Sequence, residues 1–259
     1  MTKKLQSIIN RASPAFAIAF ILIVWQLLSS TEVVPKYMLP SPIDVVLAFV
    51  NDFSLLMEHA ETTLIEAFLG LTIGTVLGFV IAVLMERFHL FQKSIYPIIV
   101  ITQTIPTVAI APLLVLWLGY GILPKITLIV IITFFPITVS LLEGFQSADP
   151  DALNLLKAMG ATRFQSFVHI KLPSSLNQFF SGLKISVSYS VVGAVVSEWL
   201  GGFTGLGVYM TRVRKSYSFD KMFAVIFFIS LISLILMFMV SYIKKASMPW
   251  EKTKKEKIN

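Results

Sequence analysis

Residues 148–173 read ADPDALNLLKAMGATRFQSFVHIKLP, a polar stretch set between long apolar blocks. Asp149-Pro150-Asp151 is helix-start chemistry: proline suits a first turn, where its missing N–H is no loss, and acids suit the positive end of the helix dipole. Leu153, Leu156, Lys157 and Met159 to Gly160 then read as a short helix closing at a glycine. The enclosing segment, 143–178, is too polar for membrane core and too long for a simple turn, so a folded element outside the bilayer is expected there. From its residues alone it is either a docking knob or an interfacial helix.

On both sides of this element the chain is apolar. Of its 259 residues, 56% are hydrophobic and 14% charged, against about 25% charged in soluble domains, so bilayer is the expected solvent. Five blocks approach or exceed the roughly 17–25 residues that cross hydrocarbon: Pro14–Ser30, Thr62–Leu84, Tyr96–Leu118, Phe179–Leu200 and Met222–Ile243. A further block, Ile126–Leu142, is shorter but uncharged. The expected fold is an all-α membrane protein with six transmembrane helices in a single domain, 1–259. Lys3, Lys4 and Arg11 before an apolar run imitate a secretory leader, yet no small-residue cleavage site follows, so a retained first helix is expected.

The net charge of +7 comes from Lys and Arg clustered between and beyond the apolar blocks, which points to anionic lipid headgroups and not to nucleic acid. With the N-terminus inside, the inner segments collect Lys3, Lys4, Arg11, Arg87, Lys93, Lys157, Arg163, Lys171, Lys244, Lys245, Lys252, Lys254, Lys255 and Lys257. The outer side holds Lys36, Lys125, Arg212, Arg214, Lys215 and Lys221, with Lys184 uncounted at a helix start. That bias places both termini inside. The chain has no Cys, and His59, His89 and His169 lie too far apart for a metal-ligand spacing, so no metal is expected.

Several residues inside the blocks bear on a pathway. Gly70, Gly74 and Gly78 form a bare stripe suited to close helix packing. Pro97, Pro106 and Pro112 interrupt the third block beside Thr102, Gln103 and Thr104, which gives either a kinked structural helix or a discontinuous helix lining a solute route. Ser186, Ser188, Tyr189 and Ser190 give the fifth block polar surface, with Gln103 and Tyr189 the leading pathway candidates. Glu198 reads as an interfacial anchor, a loop partner or a gate. Phe134, Phe135 and Trp117 are packing residues, interfacial anchors or stacking surfaces for a ring. No Lys or Arg falls mid-block, which disfavours a permanent anion site.

The chain resembles binding-protein-dependent importer permeases, the membrane subunits of bacterial ABC importers. Their signature of Glu-Ala-Ala, three residues, Gly, nine residues, Ile, one residue and Leu-Pro is matched in spacing by Gly160, Ile170, Leu172 and Pro173. Asn154, Leu155 and Leu156 stand where Glu-Ala-Ala would. The resemblance implies a type I importer permease fold with a cytoplasmic coupling helix. That element would dock on an ATPase subunit through Asn154, Leu155, Leu156, Lys157, Ala158, Met159, Gly160, Ala161, Thr162, Ile170 and Pro173, and Asn154 puts any particular salt bridge there in doubt.

It also implies ABC ATPase subunits holding ATP and Mg, an extracytoplasmic solute-binding protein, pairing with an identical or related permease, and the bacterial cytoplasmic membrane. No cofactor is expected in this chain, since no glycine precedes a lysine and a phosphate-binding Gly-x-x-x-x-Gly-Lys loop is impossible. Gln103, Thr104, Phe134, Phe135, Ser188, Tyr189 and Glu198 are the candidate substrate-pathway residues.

Leu39-Pro40-Ser41-Pro42, Thr102–Pro106, Gly193–Trp199 and Gly205-Leu206-Gly207 look like the sulfonate, taurine, nitrate and thiamine-precursor branch. Within it, Gly119–Lys125 and Gly207–Met210 look most like permeases for thiamine pyrimidine precursors. The rivals are a sulfonate or nitrate permease, an ion-coupled secondary transporter, which needs ionisable residues deep in the membrane, and a membrane enzyme, which needs convergent His, Asp or Glu. The sequence displays no such group.

Overall fold

The structure, a computed structural model, describes residues 3–31, 34–35 and 37–249. The charges on Lys36, Lys252, Lys254, Lys255 and Lys257, and the side chains of Lys3, Lys4 and Arg11, lie outside the described residues. All regular structure described is helical: α1 (Lys3–Ser30), α2 (Pro42–Asn51), α3 (Phe53–Arg87), α4 (His89–Thr102), α5 (Thr107–Leu118), α6 (Ile122–Gln146) and α7 (Pro150–Ala158). There follow α8 (Arg163–Ser166), a π-helical turn at Phe167–Lys171, α9 (Leu172–Glu198), α10 (Leu206–Lys215) and α11 (Phe219–Ser247).

Among the described residues, four helical stretches are long and apolar enough to cross a membrane: α3, α6, the run Arg163–Glu198 and α11. The pair α4 and α5 adds a fifth when taken as one span, although it is bent by 99° at its break. The apolar part of α1, Ala15–Ser30, is shorter than these. The six expected blocks all fall on helices, but length and composition alone certify fewer than six spans.

Other expectations change. The polar segment expected over 143–178 is mostly helix: α6 runs on to Gln146, and from Arg163 the chain is already in the run that becomes α9. Polar residues end the hydrocarbon contact of a span without ending its hydrogen bonding, so both helices extend past the apolar blocks. Lys184, placed at a helix start, lies near the middle of the 27-residue α9, so a cation does stand mid-helix. Lys125, assigned to an outer loop, is in the first turn of α6 and buried.

The chain forms two compact units, Met1–Glu58 with Tyr209–Phe228, and His59–Val208 with Ile229–Asn259. In the first, Trp25 stacks on Phe227 at 5.7 Å and its Nε1 donates to the Pro40 carbonyl at 2.9 Å. Val45, Ala48 and Ala224 form its buried cluster. Ser41 and Asp44 close a reciprocal cap on α2, so the Leu-Pro-Ser-Pro stretch is a helix-start device.

The second unit is organised by α6 against α9. Small residues let the backbones approach: a Cβ on Gly182 would come within 2.7 Å of the Pro136 carbonyl oxygen, and one on Gly144 within 2.8 Å of Ser175 Cα. Ser186 Oγ donates to the Thr133 carbonyl at 2.7 Å. The Gly70, Gly74 and Gly78 stripe of α3 meets α6 at Ile129, Thr133 and Phe134, which is the close packing its spacing predicts.

Candidate functional site

The segment after α6 is shaped by its own backbone. Asp149 caps α7, its Oδ1 accepting from the Asp151 amide at 2.9 Å. At the far end Gly160 adopts φ +80°, its amide donates to the Lys157 carbonyl, and the Ala161 amide donates to that of Leu156. This pair of bonds is a Schellman closure, which needs the left-handed conformation glycine adopts without penalty. Thr162 and Gln165 then cap each other reciprocally to start α8.

No residue of α7 is buried, and Leu155 and Met159, one turn apart, are 63% and 74% exposed. Phe164, also exposed, follows. Asn154, Lys157, Ala158 and Thr162 are exposed too, whereas Leu156 and Ala161 are half-covered. Of the apolar residues expected to dock, Leu155 and Met159 therefore form the exposed edge, and Leu156 is turned partly inward.

Behind this knob the chain is anchored. Phe167 and Leu172 pack on the buried cluster of Ala82, Ile137, Leu141 and Phe145, and Lys171 pairs with Glu86. The π-helical turn, where the Leu172 amide reaches the Phe167 carbonyl, widens the helix just ahead of Pro173, whose ring would otherwise clash with the preceding turn. Ile170 is half-buried and Pro173 exposed at the first turn of α9. The signature positions thus divide into a capped, projecting helix and a rigid foot on α6 and α3.

The pathway candidates are not gathered at one point. At the break between α4 and α5, Gln103 is half-buried with Nε2 3.4 Å from the Ile131 carbonyl, and the Thr104 hydroxyl donates back to Ile101 at 2.8 Å. Phe134 and Phe135 are half-buried against Met85, Ile99 and Leu142. Trp117 and Tyr189 are exposed, Ser188 is half-buried, and Ser186 and Ser190 are buried with local or α6 partners.

Glu198 belongs to a different constellation. It is 1% exposed, and its carboxylate accepts from the Thr63 hydroxyl at 2.7 Å and from the Gly207 amide at 2.5 Å. Thr63 Oγ in turn accepts from the Leu206 amide at 2.9 Å, and His59 Nδ1 accepts from the Gly205 amide at 3.0 Å. The Gly-Leu-Gly run thus wraps the carboxylate at the start of α10, where amide donors and the helix dipole favour negative charge. Gly205, at φ +124°, has no room for a side chain because the Glu198 carboxylate occupies that place.

Beside it, Glu66 Oε1 pairs with Lys125 Nζ at 2.6 Å, both side chains under 10% exposed, and Glu66 Oε2 has no partner among the described residues. His59, Glu66, Lys125 and Glu198 are all buried, and the sequence reading did not bring them together. The available signal was Glu66, a lone acid inside the apolar block Thr62–Leu84, which must find a partner.

A chain of packed membrane helices with a capped, projecting helix between two of its spans is the architecture of an importer permease. Residues 74–247 match the family of binding-protein-dependent transport system inner membrane components, and the chain belongs to that family. It is a transport subunit, and its fold is that of type I ABC importer permeases.

Among its relatives, the formylaminopyrimidine transport permease protein ThiX of Halalkalibacterium halodurans is 35% identical over 240 residues, which cover 92% of this chain and 96% of that one. A probable ABC transporter permease protein of Haemophilus influenzae is 36% identical over 235 residues, covering 91% and 96%. The inward-facing MetNI methionine ABC transporter shares the fold, with a TM-score of 0.67 at 19% identity over 75% of this chain and 96% of that one.

Proposed function

We propose that this chain forms the membrane path for a pyrimidine precursor of the thiamine type, the class to which formylaminopyrimidine belongs. The observation that carries the reading is the near full-length similarity to the permease ThiX, joined to the aromatic and uncharged character of most pathway candidates. The chain works as one permease domain, paired with an identical or related copy. ABC ATPases on the cytoplasmic side hold ATP and Mg, and a solute-binding protein delivers from outside.

Both termini and α7 lie on the cytoplasmic side in this reading. The knob formed by Leu155, Met159 and Phe164 supplies apolar area for an ATPase cleft, and the anchored foot at Phe167 and Lys171 passes movement on to α9. ATPase closure then switches the path between outward and inward access.

The test is uptake by the permease reconstituted with its ATPase and binding protein. Formylaminopyrimidine should be carried in an ATP-dependent manner, and taurine, alkyl sulfonates and nitrate should not. Carriage of a sulfonate with no pyrimidine overturns the solute, and uptake by the permease without any ATPase overturns the mechanism.

A further inference from the structure

We infer that Lys184 is the charge-filtering residue of the solute path and turns away cations, the choice among neutral and anionic solutes lying with other groups. The inference rests on the reading of the chain as a path-forming permease and narrows the solutes it can carry.

The position is unusual on physical grounds. Lys184 stands near the middle of α9, about 14 residues and hence about 21 Å before Glu198 at the helical rise. With a hydrocarbon core of about 30 Å and Glu198 at one edge, Lys184 falls within the hydrocarbon and not at the interface. No described carboxylate lies within ion-pair distance of it. An unpaired cation at such depth is tolerated where water or a ligand reaches it.

The packing of α9 shows which face holds it. Gly182, Ser186 and Gly193 meet α6, and Phe180, Leu183 and Val187 pack with Val240, Leu236 and Met237 of α11. Asn177, Ser181, Lys184 and Ser188 follow one another at helical spacing along the face that neither neighbour covers. Three are half-buried and Ser181 is exposed. Lipid rewards none of these residues. A snorkelling lysine would sit among apolar neighbours, whereas this one has polar side chains a turn above and a turn below it, as a water-filled route requires.

The charge dictates what the stripe accepts. A fixed ammonium on a low-dielectric wall concentrates anions and repels cations. A formylaminopyrimidine suits it, because it is uncharged and presents a carbonyl oxygen that accepts from Nζ. A pyrimidine bearing an alkylammonium group, a cation at neutral pH, does not.

The native chain has no cysteine, so single Ser181→Cys and Ser188→Cys variants can be read individually in the assembled transporter in nanodiscs. Ser188→Cys should react roughly ten-fold faster with a sulfonate-bearing methanethiosulfonate than with its trimethylammonium counterpart. The preference should vanish in Lys184→Met and persist in Lys184→Arg. Equal rates with Lys184 intact, or no reaction of either cysteine with water-borne reagents, overturns the inference, and that comparison needs no substitution at Lys184.

Uptake supplies the second arm: Lys184→Glu should carry a pyrimidine bearing an alkylammonium group in preference to formylaminopyrimidine, reversing the parent. Because labelling is blind to the natural solute, an anionic preference without formylaminopyrimidine uptake removes the proposed solute and leaves the charge selection standing.

Discussion

Around Gly160 every shaping hydrogen bond closes within five residues or fewer: the Asp149 cap, the paired bonds to Leu156 and Lys157, and the Thr162–Gln165 box. Around Glu198 the partners lie far apart along the chain: 135 positions from Thr63 to Glu198, 143 from Thr63 to Leu206 and 59 from Glu66 to Lys125. The first region keeps its shape while leaving an entire surface uncovered, as a docking element must. The second buries charge to hold three distant segments together. The two regions should therefore fail differently, one losing function with stability kept, the other losing stability first.

The largest effect is expected at the buried pair. Lys125→Met leaves Glu66 buried opposite a methyl group, and breaking one side of a buried pair costs about 3–5 kcal/mol. Adding Glu66→Met removes the orphaned carboxylate and should recover most of that loss, because two apolar groups pack where two charges stood. Thermal unfolding of the three variants in detergent measures the coupling. Additive losses would show that Glu66 and Lys125 do not depend on each other.

Next comes Glu198. Glu198→Ala strips acceptors from the Thr63 hydroxyl and the Gly207 amide together, a loss of about 2–3 kcal/mol for buried donors left unmet. Glu198→Gln, which keeps one acceptor oxygen, should lose about half as much. Amide exchange at Leu206 and Gly207 is the local readout. Unchanged protection in Glu198→Ala would show that the Gly-Leu-Gly start of α10 stands without the carboxylate.

The same contrast explains what was legible before the structure. The Asp-Pro-Asp start, the closing glycine and the Gly70, Gly74 and Gly78 stripe are local or periodic signals, and each became the feature its chemistry predicts. Helix extents beyond the apolar blocks were not legible, because hydropathy marks where lipid contact ends and says nothing of where backbone hydrogen bonding ends. That is why Lys184 moved from a helix start to mid-helix. The pairing of Glu66 with Lys125 depends on which helices adjoin, which no window of residues contains, and Lys125 read equally well as a loop charge. Leu156 and Leu155 differ by one position, and a helix as short as α7 offers too few turns for periodicity to choose between them.

At the knob, function should separate from stability. A side chain on Gly160 meets nothing within 4 Å, so Gly160→Arg costs only the left-handed backbone, about 1–2 kcal/mol, yet fills space the ATPase would occupy. It should insert normally, fail to co-purify the ATPase and lose uptake. Gly160→Asn, which tolerates that backbone, should keep both. Leu155→Asp and Met159→Asp should weaken ATPase binding more than Leu156→Asp, since Leu156 is already half-covered. Equal behaviour of all three aspartates would place the docking edge elsewhere on α7.

The smallest effect belongs to a long-range charge contact that, unlike the Glu66 pair, remains partly open to water. Asp52, at the end of α2, accepts from the Tyr209 hydroxyl at 2.6 Å and pairs with Lys221 at 2.7 Å, where the lysine side chain is 38% exposed. Burial alone would raise the carboxyl's pKa, but the Lys221 and Tyr209 contacts outweigh it and hold it below its ordinary 3.8. The Tyr209 hydroxyl is pushed up by burial and then by Asp52, so it remains a donor throughout the useful range. A carboxyl depressed in the folded state adds stability that is complete above its unfolded pKa and fades as pH falls through the lower folded value. Asp52→Asn should therefore cost under about 1 kcal/mol at neutral pH, as partly exposed pairs do. The gap between parent and variant should stay constant from pH 8 down to about 5 and close below about 4. A gap that widens on acidification would mean that Asp52 is bound in its neutral form and that Lys221 pairs with another group.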